Sequence, residues 1–273
     1  MLHSVVELAA LDNSEGNSMQ GIEYYRGASV LDGAPIVAIA TIGRSVNSKT
    51  GDMIQTWILR ADVAPLAAQA SGADGGVCGN CPLRPILSRG TGRPGCYVNA
   101  GQAPATVWQA WRRGRYLAAG DMDGAAWNEA RRIVAGRSIR WGSYGDPAAV
   151  PAWAWLALQG GLGHPANTGY THAWRRPGAA WLRNWCMASA DSAEDAAAAH
   201  AAGWRTFRVR RASETADGRE IACPAESGRA TCSDCMLCSG SRDRDGRPDM
   251  RARIVIVAHG SRTPAEWLVG GDA

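Results

Sequence analysis

Cys232-Ser-Asp-Cys235-Met-Leu-Cys238 sets three thiols at C-x2-C-x2-C spacing, and Cys223-Pro224 supplies a fourth a few residues upstream. Thiolates so spaced can wrap one face of a cubane cluster. The ligand set is close to the bacterial ferredoxin run, except that the Cys before Pro precedes the triplet instead of following it. Four thiolates also suit tetrahedral zinc, although zinc sites usually pair two C-x2-C knuckles. The spacing therefore points first to a [4Fe-4S] cluster and second to zinc. Another group lies far upstream: Cys78-Gly-Asn-Cys81-Pro82 and, past a Gly/Arg/Pro loop, Cys96. Three thiolates on a cluster leave one iron open to a substrate or cofactor. The alternatives are a zinc site completed by His or Asp, or a Cys pair with an unrelated Cys96. One or two clusters are expected. Cys186, between Trp185 and Met187, reads as a small buried hydrophobe.

A chain of 273 residues, 46% hydrophobic and 20% charged, is long enough to build one substantial core around these loops. The net charge of +4 does not announce a nucleic-acid binder, though nucleic acid stays a conceivable partner. Lys49 is the only lysine among many arginines, which suggests GC-rich coding more than guanidinium chemistry. With 12 Trp and only Phe207 as phenylalanine, several tryptophans must be ordinary core residues. The start lacks a basic-then-apolar signal pattern, and the longest apolar run, near Val150, is interrupted by Pro151. The expectation is a cytoplasmic protein without membrane contact. In that reducing setting clustered cysteines mean metal or cluster ligands before disulfides.

The first stretch, 1–33, reads as an irregular lead-in to a single domain over 34–273, with cysteine-rich insertions at 78–96 and 223–238. Apolar runs predict strands at 34–41 and 53–59, joined as an N-terminal hairpin by a turn-rich loop. Helical periodicity follows at 104–116 and 125–135, then a strand at 138–142, a helix at 148–159 and a strand end at 167–171. Further strands are expected at 185–189, 204–209 and 254–259. An almost all-alanine helix at 193–202 carries a capping-box signature in Asp191-Ser-Ala-Glu194. Strand–helix alternation with short loops makes the fold class α/β, as a partial parallel β/α barrel of about six units. No Gly-rich dinucleotide turn follows any strand.

In such architectures functional residues gather after the strands. Arg140 and Ser143-Tyr-Gly-Asp146 end one strand, and Thr168, Tyr170, Thr171 and His172 end the next. Ser189 and Asp191 follow a third, His259 the last. Convergence of Asp146, His172 and His259 would make an acid/base or ligand set. Each has a plainer alternative: Asp146 and Asp191 as helix caps, His172 as an exposed loop end, His259 as a strand terminus. Arg205, Arg208, Arg210 and Arg211 form a basic cluster that reads as a solvated edge.

The ordered series Cys78-x2-Cys81-Pro, Cys96-Tyr, Tyr-Gly-Asp146, Gly-Tyr-Thr171, Met-Ala-Ser189, Cys223-Pro and the Cys232 triplet resembles uncharacterised phage and prophage proteins of the gene-product-88 type. The resemblance runs from about Cys78 to Gly260. More distantly, the layout is similar to radical S-adenosylmethionine enzymes, whose partial barrel has a three-Cys cluster after the first strand. What that similarity implies is an open cluster on Cys78, Cys81 and Cys96, and an auxiliary one on Cys223, Cys232, Cys235 and Cys238. Gly142, Ser143 and Gly145 would form the strand end that takes the methionine part of S-adenosylmethionine, with Asp146, His172 and Tyr170 as catalytic candidates. This chain departs from those enzymes in the remoteness of its third Cys, since their ligands share one C-x3-C-x2-C loop. An electron donor and an unknown substrate would then be partners. The competing expectation is a non-enzymatic phage accessory or nucleic-acid-associated module whose long loops are held by zinc or clusters.

Overall fold

The computed structural model describes residues 19–45, 47–241, 251–260 and 262–269. Its first three strands, β1 (Gly21–Ala28), β2 (Pro35–Thr41) and β3 (Ile54–Arg60), form an antiparallel meander. Ile36 to Ala40 in β2 are fully buried, because a strand with partners on both edges and packing on both faces reads as an unbroken apolar run. The two-residue β4 (Leu117–Ala118) adds to the outer edge of β1. From β3 onward every pairing is parallel, through β5 (Ile139–Tyr144), β6 (Asn167–Thr171), β7 (Met187–Ala190) and β8 (Thr206–Arg210). Short β9 (Glu220–Ala222) takes the far edge beyond β10 (Arg253–Val257). The order β4-β1-β2-β3-β5-β6-β7-β8-β10-β9 makes one mixed, mostly parallel sheet of ten strands that does not close.

Four helices, α1 (Pro65–Ser71), α2 (Gly75–Cys78), α3 (Pro85–Ser88) and α4 (Ala103–Arg112), lie in the long excursion after β3. Next come α5 (Gly124–Val134), α6 (Ala152–Gly161) and α7 (Ala193–Ala201), then α8 (Cys232–Cys235) inside the second cysteine segment and α9 (Ala265–Leu268). None of these is long and apolar enough to cross a membrane. The β6–β7 connection is made of 3₁₀ turns, Ala173–Arg175 and Pro177–Asn184.

The alternation along the parallel strands divides the sheet into two chemically different faces. Ile54, Thr56 and Ile58 of β3, with Ile139 and Trp141 of β5, are completely buried; Gln55, Trp57 and Arg140 between them are only half-buried. On the buried face Trp141 lies flat between Trp155 of α6, at 4.2 Å between ring centroids, and Trp185, at 5.0 Å. Several tryptophans do serve as core, Trp141, Trp155, Trp174 and Trp204 among them, while Trp153 is exposed. Cys186 is buried as well, its sulfur against Gly169, where a Cβ would stand 2.7 Å from it.

Several expectations are corrected. Within the supposedly irregular 1–33, residues 1–18 lie outside the described part, but Gly21–Ala28 is a strand, buried through Tyr24. The helix expected over 148–159 starts as a 3₁₀ turn, Pro147–Ala149; Pro151 interrupts it before α6. Ser192 caps α7, accepting from the Asp195 amide, so Asp191 is free for another partner. Arg205 and Arg208 are buried, not solvated: Arg208 grips Glu220 with two hydrogen bonds of 2.8 and 2.6 Å.

Candidate functional site

All eight cysteines are free thiols. The upstream group is built by a tight loop. Helix α2 ends at Cys78, and Gly79 turns the chain with φ +55°, a conformation L side chains avoid. Arg84 then clamps the loop from inside, donating to Asp74 Oδ1 at 3.0 and 2.7 Å, to the Gly79 carbonyl at 2.8 Å and to the Gly72 carbonyl at 2.6 Å. Cys96 is brought in by its neighbour Gly95, whose amide donates to the Arg262 carbonyl at 2.9 Å. Burial first, then the charges of Cys81 and Cys96, pushes the Cys78 thiol well above its ordinary pKa; burial likewise raises Cys96.

The end of β5 is shaped by two glycines. Gly142 (φ +69°) and Gly145 (φ +85°) both need the left-handed region, and neither has room for a side chain. A Cβ on Gly145 would stand 2.7 Å from Ile58 Cβ; one on Gly142, 2.6 Å from the Gly145 carbonyl. Between them Ser143 donates to Gln55 Oε1 at 2.6 Å. Asp146 is the cap anticipated as its plainer role. Its Oδ1 accepts from the Ala148 amide (2.9 Å) and the Thr171 hydroxyl (2.7 Å), and its Oδ2 from the His172 amide (2.8 Å). Its own amide donates to the Val77 carbonyl at 2.6 Å. One buried residue thus joins β5 to β6 through its carboxylate and to the Cys78 loop through its amide.

His172 stands between cysteine and carboxylate. Its Nε2 is 3.9 Å from Cys81 Sγ and 3.2 Å from Asp191 Oδ2. Burial disfavours charge on this imidazole, but the neighbouring Cys81 sulfur and the Asp191 carboxylate outweigh it and hold its pKa well above the usual value. Both partners meet the same nitrogen, whereas a nucleophilic relay uses the two nitrogens separately, so this is not a thiol–imidazole–carboxylate triad.

The downstream group lies against the half-buried face of the sheet. The Cys232 and Ser233 amides donate to the Lys49 and Thr50 carbonyls at 2.9 and 3.2 Å, so the β2–β3 hairpin loop grips this segment. Thr231 and Asp234 form a capping box at α8, and the Gly169 amide reaches the Cys238 carbonyl at 3.3 Å. Arg205 holds the far side, donating to the Gly240 and Ala252 carbonyls at 2.9 and 2.5 Å. Burial pushes the Cys238 thiol up to about 12 against the opposing Tyr170 hydroxyl, and Cys223 and Cys232 add to the rise. Tyr170, expected at the catalytic rim, directs its hydroxyl to Cys238.

Both groups front one cleft of about 700 Å³. Cys78, Cys81 and Cys96 line it from the loop after β3, Cys223 and Cys232 from the segment after β9, while Gly142 to Asp146, Tyr170 and His172 form its wall. Residues not foreseen as part of the site come from the sheet face: Gln55 and Trp57 on β3, Phe207 and Val209 on β8, and Ile256 on β10. Their period-two spacing was the available signal. At the rim His259 donates from Nδ1 to the Val257 carbonyl (3.0 Å), which turns the Nε2 lone pair toward Lys49 Nζ at 3.3 Å. Lys49 also pairs with Glu226 at 3.0 Å, and the Tyr97 ring lies 5.1 Å from His259. His259 therefore joins the cleft, at a rim separate from the Asp146–His172 contact.

As a donor set, two groups of part-buried thiols without disulfides, whose thiolates would repel one another, fit a cationic centre, which would replace the thiol protons. Among the described residues, no three His, Cys, Asp or Glu side chains close on a point one ion could occupy. Zinc would hold its thiolates about 3.8 Å apart, from a Zn–S bond of about 2.3 Å, so the loops would have to draw in around it. Comparison with protein-family models, curated proteins and solved structures returned no match to this chain.

Proposed function

We propose that this chain is an iron–sulfur protein of phage or prophage type acting as a redox enzyme, in the manner of radical S-adenosylmethionine enzymes. Cys78, Cys81 and Cys96 would hold one [4Fe-4S] cluster, and Cys223, Cys232, Cys235 and Cys238 the other. The reading rests on one observation: cysteines from two distant segments front the same cleft as His172, Asp191 and Arg140. Two purely structural sites have no need to share an open cavity. Bound clusters supply one-electron transfer and, at an open iron, a place for S-adenosylmethionine. The narrow Gly142–Gly145 strand end suits close approach of that cofactor's backbone-like methionine part. A partial β/α barrel is the architecture we assign. A flat sheet would part β3 from β10 by about 24 Å, five spacings of about 4.8 Å, yet side chains of both strands line one cleft.

A second reading has its own support. His172 Nε2, 3.9 Å from Cys81 Sγ, could complete a Cys₃His zinc site and make the module structural. Purification without oxygen, followed by iron, sulfide and zinc analysis with visible and EPR spectra, separates the two. Iron and sulfide near two cubanes per chain, with an EPR change on adding S-adenosylmethionine, is the expected result. Colourless protein with stoichiometric zinc and no sulfide overturns the redox enzyme and leaves the structural module.

A further inference from the structure

Arg140 enters the cleft from β5 and lacks what a half-buried guanidinium normally has. Its Nε is buried without a hydrogen-bond partner, and no carboxylate pairs with it among the described residues. The more deeply buried Arg84 and Arg208 pair with carboxylates, Asp74 and Glu220, and Arg210, whose Nε also lacks a partner, still donates from Nη1 to the Arg211, Ala212 and Glu214 carbonyls. A guanidinium presents five donors in a planar fork matched to carboxylate or phosphate oxygens, and leaving a buried donor unpaired is costly. The surroundings are those of a binding pocket. Arg140 Cζ sits 5.6 Å from the centre of the Tyr170 ring, and Tyr170 packs on Phe207 at 4.6 Å. Trp57, Val209 and Ile256 extend this apolar floor. An anion meeting Arg140 here would be partly shielded from water, which strengthens the pairing.

We infer that Arg140 is the anion-binding residue of the cleft, and that its substrate carries a carboxylate or phosphate group attached to an apolar or aromatic body. The anionic end takes the Arg140 fork, and the body rests over Trp57, Tyr170 and Phe207. This rests on the cleft being a substrate site, as proposed above, but not on which metal the cysteines hold. Two other groups already meet Arg140: the Tyr170 ring under its guanidinium, and Cys232, whose thiol lies close enough for the guanidinium charge to be felt.

The test is calorimetric titration of the full chain, purified without oxygen, with inorganic phosphate and separately with benzoate at fixed ionic strength. Wild type, R140K, R140Q and K49Q are compared, with iron, sulfide and the urea midpoint measured on every sample. One saturable site per chain for either probe is expected. R140Q should weaken it by roughly tenfold or more, R140K should keep part of it, and K49Q should leave it intact. The preferred probe distinguishes a phosphate from a carboxylate substrate. The inference is overturned by absence of a saturable site, by equal affinity in folded R140Q, or by equal weakening in K49Q, which would mean a diffuse positive field. It is also overturned if R140Q alters only the EPR spectrum, because Arg140 would then serve the group at Cys232. Anion binding that survives in iron-free, sulfide-free protein would sink the redox proposal and leave this one standing; iron and sulfide without anion binding would do the reverse.

Discussion

Replacing Arg84 by Met should unfasten the upstream cysteine loop while leaving the sheet in place. Arg84 is one-tenth exposed and Asp74 nearly fully buried, at 1%, so the pair sits inside the protein. Met fills much of the volume but strands the Asp74 carboxylate without a counter-charge and leaves the Gly72 and Gly79 carbonyls short of a donor. Breaking a buried pair this way costs roughly 3–5 kcal/mol. With a urea slope of about 3 kcal/mol per molar, the midpoint should fall by about 1 to 1.7 M. R84K, which keeps the charge but loses the fork, should fall between. The D74N/R84M double variant should lose less than the sum of the single losses, with a coupling of roughly 0.5–3 kcal/mol, since each change removes the other's need for a partner. Urea titration under argon gives the midpoints, and thiol alkylation read by peptide mass gives the local effect. Cys78 and Cys81 should react faster in R84M, with Cys232 and Cys238 unchanged. A midpoint within about 0.2 M of wild type, or strict additivity, would refute the clamp.

Other outcomes follow from the same geometry. Gly145→Ala should destabilise by roughly 2–5 kcal/mol, adding the strain of a left-handed alanine to its clash with Ile58, while Gly43→Ala, with open space around it, should be nearly neutral in the same urea titration. Asp146→Asn should lower stability by about 1–3 kcal/mol and speed Cys78 alkylation, because an amide cannot accept from both Thr171 and the His172 amide; a loss of turnover at unchanged stability would return Asp146 to a catalytic role. Burial first, with the Arg253 charge adding to it, holds His200 down to about 4 from 6.5, and the Arg219, Asp217 and Glu220 charges also act on it. The unfolded chain therefore takes up that proton first, so the stability gap between wild type and His200→Gln should be constant above pH 6.5 and shift against wild type as pH falls toward 4.

Much of the sheet is legible from sequence, because β2 in the antiparallel meander and β6 and β10 in the parallel part announce themselves by apolar or β-branched runs bounded by turn formers. Strand β1 is not, since Glu23 and Arg26 interrupt its pattern; the burial of Glu23 depends on Arg26 and on Trp111, 88 residues away. Strands β4 and β9 are too short to carry a period. The basic run at Arg205–Arg211 misleads for a similar reason. Arg208 is buried because Glu220 arrives from another strand, and a local charge count cannot see that. The cysteine groupings are local and readable, but their meeting across one cleft is tertiary. So is Arg140, which looks like any strand-edge arginine until its unpaired Nε and the Tyr170 ring are seen together.

The attachments of the two cysteine groups suggest why they need not stand or fall together. The upstream group hangs from Arg84 and from the Asp146 amide on Val77; the downstream group hangs from Arg205 and from the hairpin carbonyls of Lys49 and Thr50. These clamps share no partner, and changes without shared partners usually add. Loosening one group should therefore speed alkylation of that group's thiols alone. The cleft between them is made by the sheet face, whose Arg140, Tyr170 and Phe207 belong to strands and not to either loop. A rigid sheet with two independently tethered thiol sets is how a chain can keep two centres at a fixed separation across one bound molecule. A single structural metal would require no such division.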